Sequence, residues 1–281
     1  MRIANYEYNG MKRVGVVKND LIFDLSEPFS RYGLRVDSLD SLLEMNLLDK
    51  LDDALSESSI TLKLSQVRLL PPVLRPEKIM LAATNYYSHE REGGVSRPES
   101  PYLFSKFRNA LAGPYDDVLL PKISSKMDYE GELAVIIGKR GKYIGKSEAM
   151  NYVLGYAVAN DISFRDLQFP PGWPTAPNAY GQNWLKGKSL DRAFPLGPYI
   201  VTQDEIDDVR SLAIRTTVNG EIRQDGKTSD MIFGIEELIE YASNGITLMP
   251  GDIISTGTPQ GVAVFSNKAF LNDGDVVEVA I

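Results

Sequence analysis

Apolar residues follow two patterns along this chain, and the change between them divides it. Over the first seventy residues short apolar runs alternate with turn residues: MRIANYEY, the pair Asn9-Gly10, KRVGVVKND and LIFDLS. That spacing predicts short strands joined by turns. A leucine-rich stretch follows, VDSLDSLLEMNLLDKLDDAL, with Leu39, Leu42, Leu43, Leu47 and Leu48 at near-helical spacing and acidic residues on the other face. It predicts an amphipathic helix. VRLLPPVLRPEK then carries three prolines, which break regular structure. The boundary is placed there, with residues 1–72 as a small α+β domain and 73–281 as a large one. The small region shows no active-site chemistry and is expected to pack against the large one or help it dimerise.

Downstream, strands mix with short helices. IMLAAT, ELAVIIG and VLGYAVAND read as buried strands, and SLAIRTTVNGEIRQ as a hairpin turning at Asn219-Gly220. FGIEELIEYASNG reads as an amphipathic helix closed by Gly245, and MPGDIISTG and NDGDVVEVAI as two turn-and-strand units. Regular βαβ alternation, a glycine-rich dinucleotide loop and a phosphate loop are all missing, so a doubly wound nucleotide fold is not expected. The pattern predicts an α+β protein with a mixed β-sheet curled into a roll or barrel.

Composition narrows the class. The 281 residues are 43% hydrophobic and 24% charged, as in an ordinary globular protein. A formal net charge of −8 argues against a general nucleic-acid or membrane-surface binder. Without cysteine there is no thiol nucleophile and no zinc-thiolate site. No apolar run approaches membrane-spanning length, and MRIANYEYNG lacks the apolar core of a signal peptide, so a cytoplasmic location is expected.

The chemistry centres on DYEGELAVIIGK. Its apolar run is that of a strand buried on both faces, yet Glu130 and Glu132 stand at its entrance. Side chains two apart on a strand point the same way, and two anions aimed at one spot repel unless a positive charge lies between them. A hard divalent cation serves well; a frayed strand end with both glutamates in water is the bland alternative. Asp161, 29 residues after Glu132 at the end of VLGYAVAND, is placed to bring a third carboxylate, or else caps a helix starting at ISFRDLQ. If that segment is helical, Arg165 and Gln168 share a face with Asp161 and suit an anionic, oxygen-rich substrate. His89, the one histidine, lies three residues before Glu92 and just ahead of Gly93-Gly94. A helical turn would join ring and carboxylate into a general base on a glycine-hinged lid; a structural or surface histidine is the alternative.

NYYSHERE, DYEGELAVIIGK, NDISFRDLQ, VNGEIRQDGKTSDMIF and PGDIISTGTPQGV occur in the order found in the fumarylacetoacetate hydrolase family, which the chain resembles from Ile79 to Ile281. The resemblance implies a mixed β-roll, a homodimer, and magnesium (manganese or calcium in some members) on Glu130, Glu132 and Asp161. It places the family's catalytic dyad on His89 and Glu92. Its substrate contacts fall on Arg165, Gln168, Thr258, Tyr86 and Lys106, although Phe107 stands where a proline usually follows that lysine. The family's active-site lysine matches Lys188 best, with Lys186 second; Leu190 replaces the usual aromatic. The proline- and glycine-rich stretch FPPGWPTAPNAYGQNW reads either as a rigid loop bordering the pocket or as a packed surface connection.

On this basis the expected activity is magnesium-dependent cleavage of a C–C bond in an acylpyruvate-like 2-oxo acid. His89, steered by Glu92, would activate water, and Lys188 would stabilise the oxyanion. The same constellation could run an oxaloacetate decarboxylase, an isomerase or tautomerase of 2-hydroxy-dienedioates, or a 2-oxo sugar acid dehydratase. A metal- and dicarboxylate-binding sensor is the non-enzymatic alternative.

Overall fold

The tight pair Asn9-Gly10 sets the first register. Both residues have positive φ (50° and 73°), which fits the two-residue turn that a right-twisted hairpin prefers. It joins β1 (Arg2–Tyr8) to β2 (Met11–Lys18), and β3 (Leu21–Asp24) continues the meander. The structure is a computed structural model describing residues 1–94, 97–169 and 182–281. The stretch expected to border the pocket lies mostly, at 170–181, outside the described residues.

After α1 (Ser26–Arg31), the leucine-rich stretch forms two helices, α2 (Leu39–Glu44) and α3 (Leu51–Glu57), where one was expected. Asn46 breaks it. Its φ of 55° lets the Leu47 amide donate to Leu42 O and its own amide to Leu43 O, a left-handed cap that ends α2. Leucine spacing alone could not reveal that stop. Two short strands, β4 (Thr61–Lys63) and β5 (Arg68–Leu69), complete this part.

The rest of the chain supplies β6 (Ile79–Ala82), α4 (Tyr87–Gly93), β7 (Leu103–Lys106), β8 (Leu111–Ala112), β9 (Met127–Asp128) and β10 (Gly131–Ile137). Next come β11 (Val153–Asn160), β12 (Ser163–Phe164), α5 (Arg165–Gln168), α6 (Trp184–Lys188) and β13 (Phe194–Thr202). The chain closes with β14 (Ala213–Val218), β15 (Glu221–Lys227), α7 (Ile235–Ser243), β16 (Ile253–Ser255) and β17 (Val277–Ala280).

The fold is α+β around one large mixed sheet ordered β4-β3-β2-β1-β13-β11-β10-β16-β6-β7, with β5 on β1 and β8 on β13. Pairs β16–β6 and β13–β8 are parallel; the others are antiparallel. The barrel alternative is not realised, because β4 and β7 end the path without meeting. Pairing of β1 with β13, with Arg2 opposite Val201, runs the N-terminal meander into the same sheet.

Strand β10 lies at the centre, buried along its whole length. Alternation sends Leu133, Val135 and Ile137 to a cluster that includes Ile235, Leu238 and Ile239 of α7. Ala134 and Ile136 face the other cluster, with Ala157, Ala159 and Leu196. Both faces are dry, and this explains why the run is apolar throughout.

A second, three-stranded sheet, β15-β14-β17, packs against the start of β10. A Cβ on Gly131 would come within 2.3 Å of Thr216 Oγ1 and 2.9 Å of Val279 Cγ1. The glycine between the two glutamates is therefore a contact between sheets. Gly131→Ala is expected to lower unfolding stability by about 1–3 kcal/mol, the usual cost of overpacking, read from urea denaturation.

Candidate active site

Backbone register brings the acidic residues together. Gly131 stands opposite Asn160 in the β10–β11 pair, and beyond it the Asp161 amide donates to Glu130 O at 2.8 Å. Glu130 precedes the first residue of β10 and Glu132 is its second, so both side chains emerge on one face. One carboxylate oxygen from each of Glu130, Glu132 and Asp161 lies within 4.8 Å of the others, and all three residues are buried.

Three cationic side chains close around them. Lys188 Nζ is 2.6 Å from both Glu130 Oε2 and Asp161 Oδ2. Arg165 donates from Nη2 to Glu130 Oε1 (2.5 Å), from Nε to Asp128 Oδ2 (2.8 Å) and from Nη1 to Gln168 Oε1 (3.0 Å). Lys106 Nζ lies 2.7 Å from Asp161 Oδ1 but donates to Ile162 O and Ala193 O. Burial alone would raise the Glu130 carboxyl; Arg165 and Lys188 outweigh it and hold the group well below the usual range. Glu132 moves the other way, pushed well above that range by burial and then by the charges of Asp161 and Glu130. Its Oε2 accepts from Ser255 Oγ and, at 3.3 Å, from the Gly257 amide. Burial pushes Lys106 down to about 8 against the pull of Asp161.

The expected dyad sits on α4. His89 Nδ1 is 3.5 Å from Glu92 Oε2, one helical turn away, and its ring centroid is 5.5 Å from that of Phe265. Both oxygens of Glu92 accept from the Gly261 amide at 3.0 Å, which docks α4 on the 257–265 segment. Gly94, at φ 59°, ends the helix. Asp230 holds its start by accepting from the Ser88 amide at 2.9 Å.

His89, the three acids, Arg165, Gln168, Lys188 and Thr258 line one cavity of about 60 Å³ with Phe104, Phe169, Trp184 and Phe265. Two expected substrate contacts are not in its lining. Tyr86 is fully buried behind it, its hydroxyl 3.5 Å from Thr256 Oγ1. Lys106 lies behind Asp161, its donors aimed at two backbone carbonyls and one carboxylate. Thr258 does reach the lining, but its hydroxyl donates to Gly131 O at 2.9 Å and accepts from Gln224. Lys188 is the buried lysine of its pair, and Lys186 is exposed.

The shared helical face expected for Asp161, Arg165 and Gln168 does not form. Asp161 precedes β12 and caps no helix; Arg165 and Gln168 occupy the single short helix α5 and pair with each other. A Cβ on Gly187 would fall 2.5 Å from Gln168 Cβ, so glycine there lets α6 press Lys188 against α5.

Residues 78–281 match the family model "Fumarylacetoacetate (FAA) hydrolase C-terminal". The chain belongs to the fumarylacetoacetate hydrolase family. It is accordingly an enzyme, similar to members that act on small organic acids. One relative, "Oxaloacetate tautomerase FAHD2A, mitochondrial" of Bos taurus, is 47% identical over 229 residues, 81% of this chain and 70% of that protein. The fumarylacetoacetate hydrolase of Exiguobacterium antarcticum superposes with TM-score 0.85 at 33% identity, covering 100% of this chain and 95% of the other. Maleylpyruvate hydrolase from Sphingobium sp. SYK-6, solved with manganese(II) and pyruvate, gives 0.79 at 30% identity, covering 100% and 94%. No helix among the described residues is long and apolar enough to cross a membrane.

The acidic triad of this family member suits a hard divalent cation on its own structure. Asp161 Oδ1 is buried with no aligned hydrogen bond, because the nearest cation, Lys106, donates elsewhere. A donor set of three carboxylates matches the oxygen preference of magnesium, manganese or calcium.

Asp128 went unnoticed in the sequence although it opens the same motif. Fully buried, it accepts from Arg165 Nε and from the Tyr129, Ala263 and Val264 amides. It thus ties the site's arginine to the segment that carries Phe265. Its only signal was a carboxylate directly beside a buried strand. Asp128→Ala removes one of the two carboxylates on a buried guanidinium, together with the acceptor of the Ala263 and Val264 amides, and is expected to cost about 3–5 kcal/mol in chemical denaturation.

Proposed function

We propose that this enzyme interconverts the enol and keto forms of a small 2-oxo dicarboxylic acid, oxaloacetate or a close analogue. The observation that carries the reading is the cavity itself. At about 60 Å³ it has room for a handful of waters, far below the roughly 300–1,000 Å³ of a drug-sized pocket. Its lining combines a single imidazole, His89, with the two cationic side chains Arg165 and Lys188. That combination suits a short diacid whose proton moves between carbon and oxygen. The 47% identity to an oxaloacetate tautomerase supports the same chemistry.

Glu130, Glu132 and Asp161 would hold the divalent cation, magnesium or manganese, which when bound supplies the Lewis acidity that loosens the C3 proton of a 2-oxo acid. Arg165, fixed through three of its five N–H groups, keeps two for a substrate carboxylate. His89 Nε2 removes a proton from C3, with Glu92 Oε2 3.5 Å from Nδ1. The electron pair moves toward the 2-oxo oxygen, which takes its proton from the Lys188 ammonium. The reverse sequence returns the keto form. The aromatic side chains Phe104, Phe169, Trp184 and Phe265 supply apolar surface to the lining.

A second reading, hydrolysis of an acylpyruvate, is favoured by the dyad, because an imidazole steered by a carboxylate also activates water. The likeness to maleylpyruvate hydrolase supports it.

The two are separated by following enol-oxaloacetate decay and acetylpyruvate cleavage with magnesium, then with a chelator. Accelerated ketonisation that the chelator removes is expected. Cleavage of acetylpyruvate without accelerated ketonisation would favour the hydrolase. His89→Ala should slow ketonisation about 10²–10⁴-fold, the typical worth of general acid–base assistance, and leave cation binding intact by calorimetry.

A further inference from the structure

We propose that Lys188 and the divalent cation compete for the same carboxylate oxygens, so that the ammonium is released toward the substrate only when the cation binds. The inference rests on the proposed cation site and goes beyond it, since it concerns the order in which that site assembles.

Every oxygen of Glu130 and Asp161 already faces a cationic nitrogen. Arg165 and Lys188 hydrogen-bond the two of Glu130, Lys188 hydrogen-bonds Asp161 Oδ2, and Lys106 lies 2.7 Å from Asp161 Oδ1 without donating to it. A cation arriving on these acids must therefore meet or displace one of the three side chains. Two of them are anchored elsewhere. Lys106 is held by Ile162 O and Ala193 O, and Arg165 by Asp128 and Gln168. Among the described residues, Lys188 Nζ has hydrogen-bond partners only in the two acids themselves, with the Phe104 ring 5.2 Å away as a further weak neighbour. It also lines the cavity, which Lys106 does not. Lys188 is the one that can yield.

Two consequences follow from charge. A fixed positive charge within hydrogen-bonding distance of two ligand carboxylates repels a second cation and occupies lone pairs that the cation needs. Its removal therefore strengthens cation binding, against the ordinary expectation that deleting an active-site residue weakens it. In the intact enzyme, the displaced ammonium becomes free to meet an anion. Binding of cation and substrate anion is then mutually reinforcing, and reciprocity requires each to tighten the other by the same factor.

The test is manganese(II) titration of the purified full chain by calorimetry, with electron paramagnetic resonance as a check on free metal. Lys188→Met is expected to lower the manganese Kd at least tenfold, and Lys186→Met, an exposed neighbour, to leave it unchanged. Lys188→Arg, which keeps the charge, should bind manganese no more tightly than wild type. Pyruvate should tighten manganese binding in wild type and do so less in Lys188→Met. Thermal melts give an independent readout: manganese should raise the Tm of Lys188→Met more than that of wild type. If Lys188→Met folds only with manganese present, release of the metal to a chelator is measured instead and should be slower than in wild type.

Equal or weaker manganese binding by folded Lys188→Met, or faster release, overturns the competition. Wild type that binds no divalent cation overturns the cation site itself, and so separates the two failures.

Discussion

Seven buried carboxyl, lysine and arginine side chains meet in one region of this fold, and the need to keep their charges paired constrains everything around them. Asp128, Glu130, Glu132 and Asp161 supply four carboxyl groups; Lys106, Arg165 and Lys188 supply three basic ones. Removing such groups from water costs several kcal/mol per ion unless partners compensate. Six of the seven are compensated by ion pairs at 2.5–2.8 Å. Glu132 is the seventh, met among the described residues by Ser255 Oγ and the Gly257 amide. Its carboxyl is therefore pushed up by burial and by the neighbouring acids. A site with one acid more than its bases is suited to an added cation, and with a divalent one it turns net positive. That reversal matches an anionic substrate.

The charges stay in register because none of the acids depends on a flexible tether. Glu130 and Glu132 are fixed by the central strand, and Asp161 by a backbone bond to Glu130 O one residue beyond the β10–β11 pairing. Antiparallel pairing of β16 with β10 brings Ser255 and Gly257 to Glu132, and a Cβ at Gly257 would lie 2.9 Å from Ala82 O. Gly257, at φ 87°, thus meets both a turn requirement and a close approach. The bases arrive from elsewhere: β7 ends in Lys106, and α5 and α6 carry Arg165 and Lys188. Acids built on a sheet and bases delivered by its edges give a rigid, pre-formed electrostatic site.

What could be read in advance followed from period and from spacing. The buried run of β10, the hairpin at Asn219-Gly220 and the α7 helix were all legible because local pattern and tertiary burial agree there. Convergence of Glu130 with Glu132 followed from the two-residue period of a strand. Asp161 could be suspected from its distance along the chain, but its exact partner required the β11 register. The leucine-rich stretch misled because its stop depends on one asparagine in a left-handed conformation. Tyr86 and Lys106 lie near the site in sequence and in space, yet whether a side chain enters a cavity or stands behind it is decided by burial. Asp128 escaped for the same reason: its four acceptor contacts come from Arg165, from the adjacent amide and from a loop 135 residues away.

The separation of parts explains how one family can carry names as different as tautomerase and hydrolase. The charge cluster belongs to the sheet, whereas His89 belongs to α4. Among the described residues, side chains tie α4 to the rest through Asp230 at its start, Ser88 to Gln260, and Glu92 to Gly261. Each of these contacts lies outside the acidic triad. Changes in the helix or in its docking segment can move the imidazole, admit water or exclude it, and leave the electrophilic end untouched. A proton shuttle needs the dyad close and the cavity dry; hydrolysis needs the same dyad with room for one ordered water. In this chain the same cavity brings the acids, Arg165 and Lys188 together with His89 and four aromatic side chains, so the charged end and the imidazole end can vary independently.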